Sequence, residues 1–141
     1  MNSYRNIILL KRYRWRDDSV REALGRRFSM LSSEMLAIYE KIPRSKCKPG
    51  CCKCCTNVIQ FSPSELVHMG SYANDGCCSH CVDGKCAIYE NRPFICRIYG
   101  TSELLVCEDC EPERYLTAEE TTELVHIYHE LWKAEENTVK D

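Results

Sequence analysis

Apolar residues recur at steps of three and four through the first third of the chain. They are Val20, Ala23, Leu24, Phe28, Leu31, Met35, Ile38, Tyr39 and Ile42. A repeat near 3.6 residues places them on one face of an α-helix. Asp17 and Asp18 can cap the start of this helix and Pro43 can end it. The pattern therefore predicts an amphipathic helix over 17–42.

The same spacing returns near the end of the chain, where a second amphipathic helix is predicted over 117–137. Its apolar face consists of Leu124, Ile127, Tyr128, Leu131 and Trp132. Thr117 and Glu120 stand three residues apart at its start, the spacing of a capping box in which each side chain bonds to the other's backbone amide. We expect these two longer helices to flank the segment between them.

Only short elements are predicted in that segment. Ser62 and Glu65 have the spacing of another capping box and predict a short helix over 63–72. A further short helix is predicted over 92–99 and ends at Gly100. No longer periodic run occurs here, so most of this part of the chain is predicted to be loop.

The predicted fold is mainly α: a small, irregular, cysteine-rich domain centred on metal, with two longer flanking helices and little strand. Asp83-Gly84 is the one clear hairpin signal, and it predicts a tight β-turn flanked by Cys81 and Cys86. The length of 141 residues suits a single domain over 1–141. That domain divides into a basic arm over 1–16, a helix over 17–42, a cysteine-rich metal-binding core over 44–110 and a helix over 117–137.

Charge is uneven, although the net charge is only −2. Residues 1–16 hold five basic residues and no acid, whereas residues 108–141 hold eleven acids and three bases. Residues 11–16 alternate cations with aromatic rings, a pattern that single-strand nucleic-acid binders also use. Because the rest of the chain would repel phosphate, we interpret this arm as a solvated surface segment and do not expect a nucleic-acid partner.

Cysteine content is the feature that points to chemistry. The chain has 12 cysteines, and five of them fall within the nine residues 47–55. The apolar run near the N-terminus is only four residues long, at 7–10, too short for a secretion signal, and no run is long enough to span a membrane. We therefore expect a cytoplasmic protein, in which dense thiols bind metal rather than form a disulfide scaffold.

The cysteine spacing suits thiolate ligation of zinc or of an iron–sulfur cluster. C-x-x-C pairs occur at Cys51–Cys54 and Cys107–Cys110. Twelve thiols allow at most three four-thiolate sites (12/4), and two sites are expected. Four thiolates leave a net charge of −2 around either Zn²⁺ or a [4Fe–4S]²⁺ cluster. The charge of the site therefore does not distinguish zinc from an iron–sulfur cluster. We expect the cations beside the cysteines to offset this charge, namely Lys46, Lys48, Lys53, Arg92 and Arg97.

Three motifs resemble the YkgJ-like cysteine cluster family, whose members are described as zinc- or iron-chelating domains. They are Cys47-Lys-Pro-Gly-Cys51-Cys52-Lys-Cys54-Cys55, Cys81 with Cys86-Ala-Ile-Tyr89, and Arg92-Pro-Phe-Ile-Cys96-Arg97, followed by Cys107. The resemblance covers about 60 residues and implies eight metal ligands. These are Cys47, Cys51, Cys54, Cys55, Cys81, Cys86, Cys96 and Cys107.

Several further residues have no role implied by the resemblance. Cys52 stands where the family has glycine, and Cys77, Cys78 and Cys110 are additional. These thiols could form a further site or replace an implied ligand. His80, between Cys78 and Cys81, is a candidate ligand because imidazole substitutes for thiolate in both kinds of site. His126 and His129 are interpreted instead as surface residues of the last helix.

Together these features predict a cysteine-ligated metal-binding protein with an iron–sulfur cluster, [4Fe–4S] favoured, in a structural, electron-transfer or accessory role. The alternatives are a structural zinc module that mediates a protein interaction, and a protein that sequesters or delivers metal. The sequence shows no nucleotide-binding or nucleophile motif, so enzyme activity of its own is not expected. A protein partner is expected, and no membrane association.

Overall fold

The structure is a computed structural model that describes residues 31–47 and 59–140. These ranges contain four α-helices, a 3₁₀ turn and two small antiparallel sheets. The elements are α1 (Ser33–Glu40), β1 (Ser45–Cys47), α2 (Pro63–Met69), β2 (Cys81–Val82), β3 (Lys85–Cys86), a 3₁₀ turn (Tyr89–Asn91), α3 (Phe94–Ile98), β4 (Cys110–Pro112) and α4 (Ala118–Lys140). The basic arm, the predicted helix before residue 31, and Cys51, Cys52, Cys54 and Cys55 lie outside the described residues.

Helix α1 corrects the prediction of one continuous helix over 17–42. It begins at Ser33, and Ser32 before it has an extended backbone with ψ of 157°. The Oγ atom of Ser32 accepts a hydrogen bond from the amide of Met35 at 3.1 Å. A serine hydroxyl that bonds the third amide onward defines a helix start. The apolar repeat continues through Ser32, so periodicity alone missed this boundary.

The two predicted capping boxes are confirmed. At α2, the Ser62 amide donates to Oε1 of Glu65 at 2.9 Å while Ser62 Oγ accepts from the Glu65 amide. At α4, Thr117 and Glu120 make the equivalent pair of bonds, each 3.1 Å long. Helix α2 ends at Gly70, whose φ is +87°, and is therefore shorter than the predicted 63–72.

The predicted fold class is wrong as stated. In the described part, helices form 45% and strands 15%, with the strands in two small sheets, whereas little strand was predicted. The first of the two predicted flanking helices has only 8 residues in the described part. Strands β1 and β4 pair across the whole cysteine-rich region, and each is three residues long. Elements this short carry too few alternating positions for a sequence pattern to reveal them.

The hairpin predicted at Asp83-Gly84 is confirmed. Strands β2 and β3 pair antiparallel, with Cys81 opposite Cys86. Asp83 and Gly84 both have positive φ, at 51° and 74°. Two consecutive positive φ values are the signature of a tight turn whose twist matches the flanking strands.

The helices pack around one main core and one smaller core. The main core joins α1, α3 and α4 and contains Leu31, Met35, Ile38, Tyr39, Ile42, Phe94, Ile98, Leu116, Leu124, Tyr128 and Trp132. The smaller core surrounds α2 and contains Phe61, Leu66, Met69 and Tyr72. The rings of Phe94 and Tyr128 stack with centroids 4.4 Å apart. In the described part, no helix has the length and apolar character needed to cross a bilayer.

A buried carboxylate, Glu65, links all four helices. It is only 1% exposed. Its Oε2 atom accepts from the Tyr39 hydroxyl of α1 and from the Phe94 amide at the start of α3. Its Oε1 atom accepts from the Tyr128 hydroxyl of α4 and from the Ser62 amide. Four donors satisfy the two carboxylate oxygens, which is the condition under which a carboxylate tolerates burial.

Candidate metal centre

The pairing of β1 with β4 brings two cysteines together from opposite ends of the cysteine-rich region. Cys47 lies directly opposite Cys110 in the antiparallel register. Their sulfur atoms are 2.9 Å apart. Cys47 is exposed and Cys110 is buried, so the pair forms one sulfur centre that opens to solvent on the Cys47 side.

Cys107 joins this pair through the C-x-x-C turn. The Cys110 amide donates to the Cys107 carbonyl at 3.1 Å, which closes the turn. Burial raises the pKa of the Cys110 thiol, and its contacts with the Cys47 and Cys107 thiols raise it further. Both effects disfavour the thiolate, because it would be poorly solvated and would lie beside other sulfur charge. Without a cation, this centre therefore holds Cys110 as a neutral thiol.

Gly100 makes the close approach to this centre possible. A Cβ atom at position 100 would lie 3.0 Å from both Cβ and Sγ of Cys110 and 3.6 Å from Cβ of Cys107. The backbone there has φ of +86°, which favours glycine in any case. The glycine expected only to end a short helix thus also forms one wall of the sulfur centre.

A second group of cysteines surrounds the β2–β3 hairpin. The Cys78 thiol is half-buried and lies near Cys77 and Cys86, and burial is the main reason that its pKa is raised. The His80 amide donates to the Cys78 sulfur at 3.4 Å, which opposes that rise. The cysteines of this group therefore come from one local loop, unlike those of the β1–β4 pair.

Cys81 differs from the other described cysteines because it takes part in a disulfide bond. The other seven described cysteines take part in no disulfide: Cys47, Cys77, Cys78, Cys86, Cys96, Cys107 and Cys110. A metal ligand must be a thiolate, so Cys81 would have to be reduced before it could bind metal. The described part is therefore not a scaffold in which every cysteine forms a disulfide.

Among the described residues, Arg92 and Arg97 donate their hydrogen bonds to backbone carbonyls and not to the sulfur atoms that their position beside Cys96 suggested. Arg92 donates to the carbonyls of Tyr89 and Cys96. Arg97 donates to the carbonyls of Arg92 and Glu90, each at 2.7 Å. The two guanidinium groups also lie over tyrosine rings. These bonds hold the turn before α3 and so help to position Cys96.

One hydrogen bond of His80 is of the kind that metal-binding histidines make. Its Nε2 atom lies 2.5 Å from the carbonyl oxygen of Ser71 and must donate to it. Neutral imidazole then has its lone pair on Nδ1, and this is how metal-binding histidines are usually oriented. His129, on α4, is half-buried, and burial lowers its pKa.

The described residues do not assemble a complete metal site. Within 31–47 and 59–140, no group of three or more histidine, cysteine, aspartate or glutamate side chains is arranged to hold a metal ion. Of the predicted ligands, Cys47 and Cys107 meet at Cys110, Cys81 and Cys86 face each other across the hairpin, and Cys96 lies on α3. Cys51, Cys54 and Cys55 lie outside these ranges, so the eight-ligand set stays a prediction.

Comparison with known proteins adds no relative: no family model, no curated protein and no solved structure matches this chain. The resemblance to the YkgJ-like family therefore rests on the three motifs alone. Among the additional cysteines for which the resemblance implies no role, Cys110 is the one that the structure places in the sulfur centre. Its C-x-x-C spacing from Cys107 was the available signal, but its pairing with Cys47, 63 residues earlier, had none.

Proposed function

We propose that this chain is a metal-binding protein with cysteine ligands, and that it carries an iron–sulfur cluster, [4Fe–4S] in preference to other types. The observation that supports the proposal most is the convergence of Cys47, Cys107 and Cys110 at one end of the β1–β4 ribbon. Residues far apart in sequence contribute free thiols to one place there. The motifs that resemble the YkgJ-like family support the same class of function.

The donor atoms fit iron or zinc better than a hard cation. Thiolates are soft ligands, which suit zinc and iron–sulfur clusters, whereas magnesium and calcium take oxygen. A bound cation would also reverse the electrostatics of the Cys110 thiol, because positive charge stabilises the thiolate. Cys47 and Cys107 would contribute to such a site, together with predicted ligands outside the described residues. A cluster would supply one-electron chemistry or structural support.

Metal analysis of the full chain purified without air tests the proposal. We expect iron and acid-labile sulfide in similar amounts, a brown colour, and bleaching of the absorption on reduction. A colourless protein with stoichiometric zinc would instead establish the zinc module, and a metal-free protein would refute both. Zinc has no redox role, so function would then lie on the helix surfaces that face a partner protein.

Cys47→Ser and Cys77→Ser form a matched pair for this experiment. Both thiols are exposed and free, but only Cys47 belongs to the sulfur centre and to the implied ligand set. Cys47→Ser should lose more than half of the bound metal, since a serine hydroxyl is a poor ligand for soft metals. Cys77→Ser should keep it. Equal metal content in the two variants would exclude Cys47 as a ligand.

Metal delivery is the second candidate function, and the exposed thiol of Cys77 beside half-buried Cys78 favours it. Thiols outside the implied ligand set could pass metal to an acceptor by ligand exchange. Transfer to a metal-free acceptor protein within minutes would support delivery, and exchange only over hours would count against it. We also propose a cytoplasmic location, because all described cysteines except Cys81 take part in no disulfide and thiols persist in reducing compartments. We assign no enzyme activity to the chain.

A further inference from the structure

We propose that Cys47 and Cys110 form a reversible cross-strand disulfide, which makes the end of the β1–β4 ribbon a site of exchange with small disulfides such as oxidised glutathione. The inference goes beyond the proposed function, because the exchange needs no metal. It rests on the strand register, the sulfur separation and the difference in exposure between the two thiols.

The strand register already supplies the backbone geometry that a disulfide needs. Cys47 and Cys110 are direct partners in an antiparallel pair. Directly opposed residues have Cα atoms about 4.5 Å or 5.5 Å apart, depending on their place in the ladder. Disulfides span Cα separations of about 4.4–6.8 Å, so either position is suitable. Bond formation therefore requires no change of register.

The side chains are also close to the bonded arrangement. The two sulfurs are 2.9 Å apart, and a disulfide bond measures about 2.05 Å. The remaining distance is less than one bond length and can be closed by side-chain rotation. Two free thiols held this near each other in a paired ribbon have a very high effective concentration for exchange.

Exposure sets the order of the two steps. Cys47 is exposed, so its sulfur can attack a small disulfide R–S–S–R, form a mixed disulfide and release one R–SH. The Cys110 thiol, 8% exposed, then attacks the Cys47 sulfur, and its proton passes to the leaving group, which departs as the second R–SH. In total, two protein thiols and one small disulfide give one protein disulfide and two small thiols. The protein is oxidised by two electrons and the small disulfide is reduced by two.

Cys107 is the competing partner. It is buried, with 5% exposure, and forms a C-x-x-C turn with Cys110. Its burial prevents it from starting exchange with a reagent in solution. Attack therefore begins at Cys47, and Cys110 is the partner that the strand pairing presents to it.

The test is a glutathione redox titration of the full chain, followed by thiol alkylation and peptide mapping. We expect the crosslinked Cys47–Cys110 peptide to become the main form of Cys47 at oxidising ratios, with a mass loss of about 2 Da for the two hydrogens. A reducing buffer should reverse it. Cys47 that stays reduced, stays glutathionylated, or pairs with another cysteine throughout the titration would overturn the inference.

Serine variants sharpen this result. Cys110→Ser should accumulate glutathione on Cys47, because the second thiol is missing. Cys77→Ser removes a different exposed thiol and should leave the crosslink unchanged. If Cys110→Ser shows no more glutathionylation of Cys47 than the unchanged chain, the inference is wrong. Thermal unfolding of each variant confirms that it folds, and the peptide map of the unchanged chain does not depend on any variant.

Metal content, measured on the same samples, separates this inference from the proposed function. A chain that binds no metal but forms the Cys47–Cys110 bond would refute the function and support the inference. A chain that binds metal but never forms the Cys47–Cys110 bond would support the proposed function and refute the inference.

Discussion

Two polar centres in this molecule join distant parts of the chain, and they differ in whether the protein itself satisfies their polar atoms. The carboxylate of Glu65 receives four hydrogen bonds from parts of the chain as distant as Tyr39 and Tyr128. The sulfur centre of Cys47, Cys107 and Cys110 consists of thiols that contact one another. Neutral thiols are weak hydrogen-bond donors and acceptors, so contacts between them contribute little stability.

This difference indicates which of the two centres would gain stability from a metal ion or a new covalent bond. The Glu65 centre is complete within the protein, because every added contact is a charge-assisted hydrogen bond. Burial and the nearby carboxylate also raise the pKa of Tyr39 and Tyr128, which keeps both hydroxyls protonated as donors. The proposed metal ion, or the proposed disulfide, would give the sulfur centre the stabilisation that contacts between thiols do not provide. We therefore interpret the Glu65 centre as the one that stabilises the helical part, and we expect function at the sulfur centre.

Replacing Glu65 should cause the largest loss of stability. Glu65→Ala leaves two tyrosine hydroxyls and two backbone amides buried without their acceptor, and each unsatisfied group costs about 1–3 kcal/mol. We expect the free energy of unfolding to fall by about 4 kcal/mol or more in denaturant titrations. Glu123→Ala, at an exposed position on α4, is the control and should change it by less than about 0.5 kcal/mol. Similar losses in both variants would contradict the central role of Glu65.

Gly100→Ala should cause the next largest loss, and it tests the sulfur centre directly. The added methyl group meets Cys110 at 3.0 Å while φ is +86°. Gly70→Ala has almost the same φ, +87°, but meets nothing within 4 Å, so it isolates backbone strain. Backbone strain at this φ costs about 1 kcal/mol. We expect Gly100→Ala to lower the free energy of unfolding by about 2 kcal/mol and to reduce the amount of bound metal. Equal stability losses would mean that Cys110 moves aside freely.

Removal of the proposed metal should distinguish the two centres in a hydrogen-exchange experiment. On addition of a chelator, we expect the amides of Gly100 and Cys110 to exchange at least about tenfold faster, equivalent to roughly 1.4 kcal/mol. The amide of Leu66, which bonds to Ser62 in α2, should be unchanged. A uniform increase across the chain would show instead that metal supports the whole fold.

The smallest expected effect is a pH dependence from Glu135. Burial raises the pKa of this carboxyl above its ordinary value of 4.5, although Ser64 donates to it through both its amide and its hydroxyl. The folded state therefore binds a proton more readily than the unfolded chain does. Stability should fall slightly as pH rises above about 4.5 toward the raised pKa, by less than about 1 kcal/mol. Glu135→Gln should remove this slope, and a slope of the opposite sign would refute the assignment.

Features that depend on neighbouring residues could be predicted. The capping boxes at Ser62 and Thr117 and the hairpin turn at Asp83-Gly84 each involve partners within three residues, and the structure confirms them. The start of α1 was missed because Ser32 interrupts an apolar repeat that continues on both sides. There a local hydrogen bond decided the boundary, and the hydrophobic period did not reveal it.

Features that depend on distant pairing could not be predicted. Glu65 was recognised as a cap for α2, but its second set of donors lies up to 63 residues away. In the sequence, Cys110 is one of the cysteines for which the resemblance implies no role. Only the pairing of β1 with β4 places it opposite Cys47. Neither the Glu65–Tyr128 contact nor the Cys47–Cys110 contact leaves a periodic signal in the sequence, because a single contact between two separate segments has no repeated spacing.

The amino-acid sequence by itself determined the kind of chemistry available, since residue types decide that a thiol binds soft metals and that a carboxylate caps a helix. It also determined the local starts and turns, because hydrogen bonds between near neighbours form at little entropic cost. Only the tertiary structure decided which thiols meet and which hydroxyls share one carboxylate. Closing loops of more than sixty residues is favourable only when the whole core packs, so those contacts are a property of the fold.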